Sequence, residues 1–316
     1  MEKSGSRFSH PEPPLHYNNY GRFLKEEFGC RVYKVSVDGG FSCPNRDGTV
    51  GRGGCTCCNN ESFRPKSANR SKPVSGQVQE GIRYLRERYG AEKFIVYFQP
   101  YTNTHAPLDV LIPLYEAALD NPDVVGLSIG TRPDCVDESK LSWLEELASR
   151  RFVTLEFGLQ SIHDSTLARI NRGHDFQCWV DAMSRARGRG IWLGTHLILG
   201  FPWESREEML QAADVLSDKG LHFLKLHHFH IVRGTEIEKA HQEKPFSLLR
   251  LEEYADLVVD FIGRLNPDIV VDRLFGSAPA SELIGPEWGK SAAEIRRRIE
   301  RRFIERNVIQ GDLQRQ

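Results

Sequence analysis

The chain has 316 residues, of which 40% are hydrophobic and 27% are charged, and its formal net charge is −1. This composition is typical of a soluble globular protein with one large or two modest domains. A charge so close to zero provides no overall attraction to nucleic acid, so any such binding would depend on local patches. No apolar run reaches the roughly 18 residues of a membrane span, and residues 1–20 are too polar for a secretory signal.

Strand-like and helix-like segments alternate along the chain. Runs of β-branched and aromatic residues predict strands, and apolar residues at helical spacing predict the helices between them. The predicted strands are residues 32–37, 94–98, 124–129, 152–157, 191–199 and 221–227. The predicted helices are residues 74–89, 108–119, 138–150, 176–189 and 205–219. Repeats of this kind indicate parallel strands joined by right-handed crossovers.

The pattern predicts an α/β fold: a partial (β/α)6 TIM-like barrel with a C-terminal helical extension. A doubly wound sheet is the alternative. The predicted organisation is an N-terminal extension over residues 1–30, a barrel core over 31–265 and an extension with a basic amphipathic helix over 266–316. Either architecture places ligands at the carboxyl ends of the strands.

Four of the seven cysteines lie between positions 43 and 58, in a glycine-rich loop that follows the first predicted strand. This crowding is unlike a disulfide framework and favours thiolate ligands in a reducing, cytoplasmic environment. Cys43, Cys55 and Cys58 can hold three irons of a [4Fe–4S] cluster, whereas electron-transfer clusters usually have four cysteine ligands. The open fourth iron indicates a cluster that does chemistry.

Polar and small residues occupy one face of several predicted strands. In the fourth strand, Glu156, Gly158 and Gln160 alternate with leucine and phenylalanine. Strands buried on both faces are normally almost wholly apolar, so this face indicates a ligand-lined interior. The other residues placed in this way are Tyr97, Gln99, Tyr101, Ser128, Gly130, His196, Ile198 and Gly200. A core of hydrogen-bonded polar residues is the alternative.

Three histidines, His227, His228 and His230, lie at the end of the sixth predicted strand, close to Lys225. Such a group can form a metal site, relay protons or bind a substrate through hydrogen bonds. Strand alternation places His227 and His230 on opposite faces, which disfavours one shared metal. We predict Lys225, His227 and His230 as catalytic residues, with a structural role as the alternative.

Several segments occur in an order that is typical of one enzyme family. They include Gly-Thr-Arg-Pro-Asp-Cys at 130–135 and Glu-Phe-Gly-Leu-Gln-Ser at 156–161, and the others are residues 43–48, 97–104, 169–174, 196–204 and 225–235. With these segments the chain resembles the radical S-adenosylmethionine (SAM) enzymes. More narrowly, it resembles the YhcC/YtqA-type family, relatives of the radical SAM subunit of Elongator.

The resemblance implies that Cys43, Cys55 and Cys58 ligate the cluster, whose open iron chelates SAM. An electron from a donor such as flavodoxin or ferredoxin would cleave SAM and yield a 5′-deoxyadenosyl radical. The implied SAM contacts are Gln99 and Tyr101 for the methionine amino group, Glu156 and Gln160 for the ribose or methionine end, Arg172 for the carboxylate and the Gly200 backbone for adenine, with Ser128 and His196 as further cofactor-binding residues.

Position 57 departs from the family pattern, which usually has an aromatic residue just before the last cluster cysteine. Here that residue is Cys57. Because free cysteine packs as a small apolar side chain, we expect Cys57 to shield the cluster. The competing hypothesis is that Cys57 is an alternative cluster ligand or a redox-active thiol.

The substrate is suggested by kinship and by two basic segments. Residues 294–306 carry Ile295, Ile299 and Phe303 at helical spacing among arginines, which predicts either a docked amphipathic helix or a phosphate-binding face for RNA. Residues 64–72 form the second basic segment. The Elongator-like resemblance implies tRNA, and specifically processing of a carboxymethylaminomethyl group on a wobble uridine towards aminomethyl. The alternatives are a radical SAM enzyme for a small metabolite and a zinc-stabilised, non-catalytic binding protein.

Overall fold

A parallel sheet of seven strands forms the centre of the computed structural model, which describes residues 16–59 and 69–314. The strands of the sheet are β1 (Val32–Val37), β2 (Lys93–Phe98), β3 (Val124–Thr131), β4 (Phe152–Gln160), β5 (Trp192–Leu199), β6 (Phe223–His228) and β8 (Val270–Arg273). They pair in that order. Two short strands, β7 (Ile231–Val232) and β9 (Leu283–Gly285), form an antiparallel pair of their own.

Helices connect successive strands, as the alternating pattern predicts. They are α1 (Tyr20–Phe28), α2 (Pro44–Asp47), α3 (Val74–Tyr89), α4 (Leu108–Leu119), α5 (Glu138–Ala148), α6 (Asp164–Arg169), α7 (Phe176–Ala186), α8 (Arg206–Ser217), α9 (Glu236–Glu243), α10 (Leu251–Arg264) and α11 (Ala292–Arg306). Asp137, Asp175 and Ser205 cap α5, α7 and α8 by accepting backbone N–H groups. Within the described ranges, no helix is long and apolar enough to cross a membrane.

The sheet curls until its two edge strands approach each other. Lys34 on β1 donates to Asp272 on β8 at 2.8 Å, although these strands lie at opposite edges of the sheet. The outer face of β4 buries Leu155 and Phe157 in the main hydrophobic core. Its inner face carries Glu156, which lines a cavity. The predicted partial barrel is therefore confirmed, with the polar face of its strands turned inward.

The amino-terminal end of the barrel is closed by a separate apolar cluster. Tyr20 and Leu24 from α1 pack against Ile95, Phe152 and Phe223 of the sheet. The Tyr20 and Phe223 rings meet edge to face with centroids 5.1 Å apart. Among the described residues, side chains thus fill the amino-terminal end of the barrel.

The strand β8 is absent from the six strands that the sequence predicts. It consists of four residues that follow the predicted end of the core at residue 265, and it pairs in parallel with β6. Its position depends on long-range contacts, since the Val271 N–H donates to the Asn18 carbonyl oxygen at 2.7 Å. A four-residue segment is too short to show a strand period, so only the tertiary pairing reveals it.

The C-terminal helix α11 docks on α10. Ile295, Ile299 and Phe303 are buried, as predicted for an amphipathic helix. Three of its arginines form ion pairs with acidic residues: Arg298 with Glu252, Arg302 with Asp256 and Arg306 with Asp260. These ion pairs connect α11 to α10. They engage three of the six arginines on the helix that the sequence analysis considered as a phosphate-binding face for RNA.

We predict that Phe303→Ala loosens this docking. The side chain is fully buried, and its ring lies 5.7 Å from that of Tyr17. Truncating a buried phenylalanine typically lowers the free energy of unfolding by about 3–5 kcal/mol, because the apolar contacts are lost and a cavity remains. Urea unfolding followed by circular dichroism measures the change.

The matched control is Ile304→Ala on the same helix, where the residue is 65% exposed. It is expected to change the free energy of unfolding by less than about 0.5 kcal/mol. Equal effects of the two substitutions would show that α11 is not anchored through Phe303.

Candidate active site

A cavity of about 590 Å³ opens at the carboxyl ends of the strands. Residues from or just after each strand of the sheet line it, because parallel strands all end at the same edge. The main lining residues are Cys43, Arg46, Cys55, Cys57, Cys58, Tyr97, Gln99, Tyr101, Arg132, Glu156, Gly158, Gln160, Arg172, His196, Lys225, His227, His228, His230 and Arg273. The cavity thus joins the cysteine loop to the predicted polar faces.

The cysteine loop is shaped by a short helix and glycine turns. Cys43 precedes α2, and its carbonyl oxygen accepts from the backbone N–H of Arg46 at 2.8 Å. Gly53 and Gly54 then take positive φ angles of 82° and 86°, which glycine adopts without a Cβ penalty. The turn carries the chain back, so that Cys43, Cys55 and Cys58 all lie on the cavity wall.

The segment after α6 clamps this loop. Asn45 donates to the Asn171 carbonyl oxygen at 2.5 Å, and Asn171 donates to the Gly54 carbonyl oxygen at 2.9 Å. The Thr56 N–H donates to the Ile170 carbonyl oxygen at 2.9 Å. Amide side chains and backbone on both segments therefore hold the cysteine loop against the barrel.

Two arginines supply positive charge beside the thiols. An Arg172 N–H donates to the Cys55 sulfur at 3.6 Å, and its other terminal nitrogen bonds the Gly158 carbonyl oxygen. The buried Nε of Arg172 has no hydrogen-bond partner among the described residues. Arg46 donates to the Cys58 carbonyl oxygen at 2.5 Å.

This wall fits an anionic iron–sulfur cluster. Burial raises the pKa of the Cys58 thiol to about 11, and the neighbouring Cys55 adds to the shift, so a free thiolate there is unfavourable. Iron bound to the sulfurs would stabilise the thiolates. Within residues 16–59 and 69–314, no three His, Cys, Asp or Glu side chains are grouped to hold a single metal ion. A cubane cluster does not require that grouping, because each thiolate binds a different iron.

Cys57 lines the cavity with the other cysteines of the loop, and it also packs on apolar residues. It contacts an apolar cluster that contains Ile170, Phe201, Phe229 and Ile237. Burial, and then the negative charge of Cys55 and Cys58, raises its pKa far above the ordinary thiol value. This environment supports the interpretation of Cys57 as a small hydrophobic residue beside the cluster.

Glu156 is the centre of a buried ion network on the cavity floor. Its Oε1 accepts from Lys34 at 3.0 Å and from Ser128 at 2.6 Å, and its Oε2 accepts from His196 at 2.8 Å and from Lys225 at 2.5 Å. These four donors fill the acceptor positions of a carboxylate. The predicted contact of Glu156 with SAM would therefore require one of them to leave.

The charges in this network stabilise one another. Burial alone would raise the pKa of Glu156, but the ammonium groups of Lys225 and Lys34 hold it well below its usual value. Burial likewise opposes the charged form of Lys34, yet Asp272 and Glu156 raise its pKa well above the ordinary one. Burial lowers the pKa of Lys225, although the same two carboxylates act to raise it. A buried charge of this kind is tolerated only when it is paired.

Lys225, which was predicted as a catalytic residue, lines the cavity and has several partners there. Its Nζ donates to Glu156, contacts Asp272 at 3.3 Å and donates to Tyr97 at 3.2 Å. Two of its three N–H donors are thus used in hydrogen bonds, and the contact with Asp272 is an ion pair. The structure assigns Lys225 the task of positioning Glu156 and Tyr97.

Several predicted SAM contacts share the cavity wall with the cysteines. Gln99, Tyr101 and Gln160 all line the cavity, and Tyr101 and Gln160 have positive φ angles of 66° and 82°. Gly158 leaves space for the side chains of Arg172 and Gln160, since a Cβ at position 158 would lie 2.8 Å from Arg172 and 2.9 Å from Gln160. The arrangement is compatible with the implied roles, which remain predictions.

Two predicted cofactor contacts lie outside the cavity. Ser128 is fully buried behind the wall, where it supports Glu156. Gly200 follows β5, and a Cβ there would lie 3.0 Å from the Leu249 side chain and 3.9 Å from the backbone nitrogen of Phe229. Neither residue is among those that line the cavity. The alternation of side chains along a strand could not predict that Ser128 and Gly200 lie outside the cavity, because the residues that reach the cavity depend on how the sheet curls.

The histidines converge, contrary to the prediction from strand alternation. Strand β6 ends at His228, so alternation no longer applies beyond it, and His227 and His230 both line the cavity. Burial lowers the pKa of each, and for His227 the nearby Arg273 adds to the effect. His228 stacks with Trp288, with centroids 4.3 Å apart, and burial lowers its pKa to about 3. All three imidazoles are therefore neutral at pH 7.

Five charged residues of the site were not singled out by the sequence analysis: Lys34, Arg46, Arg132, Asp272 and Arg273. Lys34 and Asp272 complete the ion network. Arg132 lines the cavity and binds Asp134 through two hydrogen bonds of 2.7 and 2.8 Å. Arg273 lines the cavity from β8. The segment at 130–135 contains Arg132, so the sequence offered a signal for that residue. Asp272 and Arg273 belong to β8, the strand that was not predicted.

The basic segment at residues 64–72 lies largely outside the described residues. Of its lysines and arginines, Arg70 and Lys72 are described: Arg70 donates to the Phe41 carbonyl oxygen at 3.4 Å, and Lys72 is paired with Glu80 at 2.5 Å. The Arg70 guanidinium also lies 5.7 Å from the centre of the Tyr101 ring. Part of this segment thus lies next to a cavity residue.

Comparison with known proteins gives consistent matches along the chain. The family model described as the Radical SAM superfamily matches residues 47–216, and the one described as the Radical_SAM C-terminal domain matches residues 221–305. YtqA of Bacillus subtilis (strain 168), an uncharacterized protein, is 37% identical over 98% of this chain and 96% of its own length. Protein YhcC of Escherichia coli (strain K12) is 39% identical over 86% of this chain and 87% of its own length.

More distant matches have more specific names. A tRNA uridine(34) acetyltransferase of Methanocaldococcus infernus is 26% identical over 51% of this chain and 30% of its own length. The solved structure of the archaeal Methanocaldococcus infernus Elp3 with an N-terminal deletion superposes with a TM-score of 0.69 at 18% identity, over 88% of this chain and 64% of that chain. This last likeness concerns the fold. Because the superfamily model covers more than half of the chain and YtqA nearly all of it, this protein belongs to the radical SAM superfamily, as a member of the YhcC/YtqA-type family, and is an enzyme whose cofactors are a [4Fe–4S] cluster and SAM.

Proposed function

We propose that this radical SAM enzyme modifies tRNA at the C5 side chain of the wobble uridine. The observation that carries the proposal is the kinship with a protein named tRNA uridine(34) acetyltransferase, which extends over 168 residues of this chain. Uridine 34 is the wobble position of the anticodon. Family membership in turn excludes the zinc-stabilised binding protein, and it leaves the small-metabolite enzyme as the competing hypothesis.

The specific reaction we propose is conversion of a carboxymethylaminomethyl group towards aminomethyl. When bound, the cofactors would supply the radical that removes hydrogen from the carbon between the amine and the carboxylate, with SAM as the net two-electron oxidant. Oxidation of that carbon to the imine level lets water hydrolyse its C–N bond, which leaves the aminomethyl group on the uridine and releases the two-carbon unit as glyoxylate. The chain's own residues position the side chain for that step, and Glu156 with its four donors keeps the cavity floor rigid. The neutral imidazoles of His227 and His230, which line the same cavity, can accept a proton from the amine.

One observation favours the small-metabolite alternative. Arg298, Arg302 and Arg306 of α11 are engaged in ion pairs with α10, so they are not available for phosphates. The remaining arginines of this helix, Arg296, Arg297 and Arg301, are exposed. On this helix, phosphate contacts of a tRNA would therefore come from these three arginines.

We predict that tRNA from a deletion strain accumulates a wobble uridine with an unprocessed side chain. The measurement is nucleoside mass spectrometry of bulk tRNA from the deletion strain and its parent. The wild-type gene should restore the parental profile, whereas Cys55→Ala should not, because loss of one thiolate removes a cluster ligand.

An unchanged nucleoside profile would contradict the tRNA proposal. If the purified, cluster-loaded protein still formed 5′-deoxyadenosine in that case, the radical chemistry would stand and the substrate would be a small metabolite. The two hypotheses are thus separated by one pair of experiments.

A second prediction concerns the ligand set of the cluster. Substituting Cys43, Cys55 or Cys58 by alanine should abolish both iron–sulfur loading and SAM cleavage. Cys57→Ala should retain both, because the Cys57 side chain packs on the apolar cluster around Ile170. Iron and sulfide content and the yield of 5′-deoxyadenosine after anaerobic reconstitution measure the outcome.

Cys178→Ala is the control for loss of a cysteine as such, since Cys178 lies on α7 away from the cysteine loop. It should load iron and sulfide as the wild type does. Loss of the cluster in Cys57→Ala, but not in Cys178→Ala, would make Cys57 a ligand and overturn the assignment.

A further inference from the structure

Arg273 occupies an unusual place in the cavity. It is the last residue of β8 and lies opposite Lys225 in the strand register. Its side chain is exposed at the cavity wall. The loop that follows contributes Ser277, Ala278 and Pro279 to the same wall.

The packing of this loop brings Arg273 close to the histidines. Gly276 sits so near to His227 that a Cβ there would lie 2.8 Å from the His227 Nδ1 and 3.4 Å from the His230 Cε1. The strand end and its loop therefore form one wall with His227, His230 and Lys225. This wall lies outside the cysteine loop that carries the cluster ligands.

The other three arginines that line the cavity each have an ion-pair or hydrogen-bond partner within the described residues. Arg132 is paired with Asp134. Arg172 donates to the Cys55 sulfur and the Gly158 carbonyl oxygen, and Arg46 donates to the Cys58 carbonyl oxygen. Within the described parts of the chain, Arg273 has no ion pair and no hydrogen bond through its side chain, so its guanidinium is available to a ligand.

The charges next to Arg273 do not neutralise it. The adjoining network contains two ammonium groups, Lys34 and Lys225, and two carboxylates, Glu156 and Asp272, which balance each other. The nearest imidazoles, His196 and His227, are neutral at pH 7 because burial lowers the pKa of both. Arg273 thus adds one uncompensated positive charge beside a neutral network, and such a charge favours an anion.

We propose that Arg273 binds the carboxylate of the substrate side chain and thereby selects acid-bearing wobble uridines. This inference rests on the proposed function and identifies the substrate class at the same site. A guanidinium matches a carboxylate through two parallel N–H donors, a geometry that lysine cannot reproduce. Arg172, beside the cluster cysteines, remains the partner predicted for the carboxylate of SAM, so the two anions have separate sites.

The test compares two tRNA probes on the cluster-loaded enzyme. One is bulk tRNA from the deletion strain, which carries the carboxymethylaminomethyl group if the proposed function holds. The other is the same tRNA after conversion to aminomethyl by the wild-type enzyme. Fluorescence anisotropy with SAM present, under anaerobic conditions, gives the dissociation constant for each.

The wild type should bind the acid-bearing tRNA more tightly than the aminomethyl tRNA. Arg273→Gln should weaken binding of the acid-bearing tRNA by roughly ten- to hundredfold, as expected for a lost hydrogen bond to a charged group, and leave the aminomethyl tRNA almost unaffected. Arg273→Lys should fall between the two, because it keeps the charge and loses the paired donors. Iron and sulfide content shows whether each variant is folded and loaded.

Arg83→Gln is the matched control, since Arg83 is an exposed arginine on α3. It should retain the wild-type preference. If Arg273→Gln keeps that preference while the wild type processes the tRNA, the Arg273 assignment is wrong and the proposed function survives. If the wild type neither distinguishes the two probes nor alters tRNA nucleosides, the proposed function itself fails, and the Arg273 assignment with it.

Discussion

The buried carboxylate of Glu156 is the interaction on which the site depends. It lies on β4 and accepts hydrogen bonds from side chains on β1, β3, β5 and β6, so that one anion ties five strands together across the barrel interior. Lys34 and Lys225 extend the network to Asp272 on β8. An unpaired charge at this depth would be strongly destabilising, and the sheet therefore has to curl until every partner is in place.

The curl also divides the cavity into two walls of different chemistry. On one wall, the thiols of Cys55 and Cys58 lie next to Arg172 and Arg46, which suits an anionic cluster and the carboxylate of SAM. The other wall carries neutral histidines and Arg273, whose side chain has no ion pair or hydrogen bond within the described residues. The separation permits a radical to be generated at one wall and a substrate to be held at the other.

The amount of structure that could be predicted differs between the core and the site. Periodicity was sufficient for six strands, five crossover helices and the partial barrel, because long β–α repeats carry a strong local signal. It failed for β8, whose four residues become a strand only through pairing with β6. It also failed for His230, since the alternation of side chains stops at the strand end at His228.

The cofactor class could be inferred from the sequence alone, because the ordered segments typical of the radical SAM family, and a cysteine loop that resembles theirs, are properties of local sequence. Which polar residues meet depended instead on the tertiary structure. It turned Lys225 and Ser128 into supports for Glu156 and brought Arg273 into the cavity. The physical reason is that charge pairing and burial depend on distances across the barrel, which side-chain periodicity along one strand does not contain.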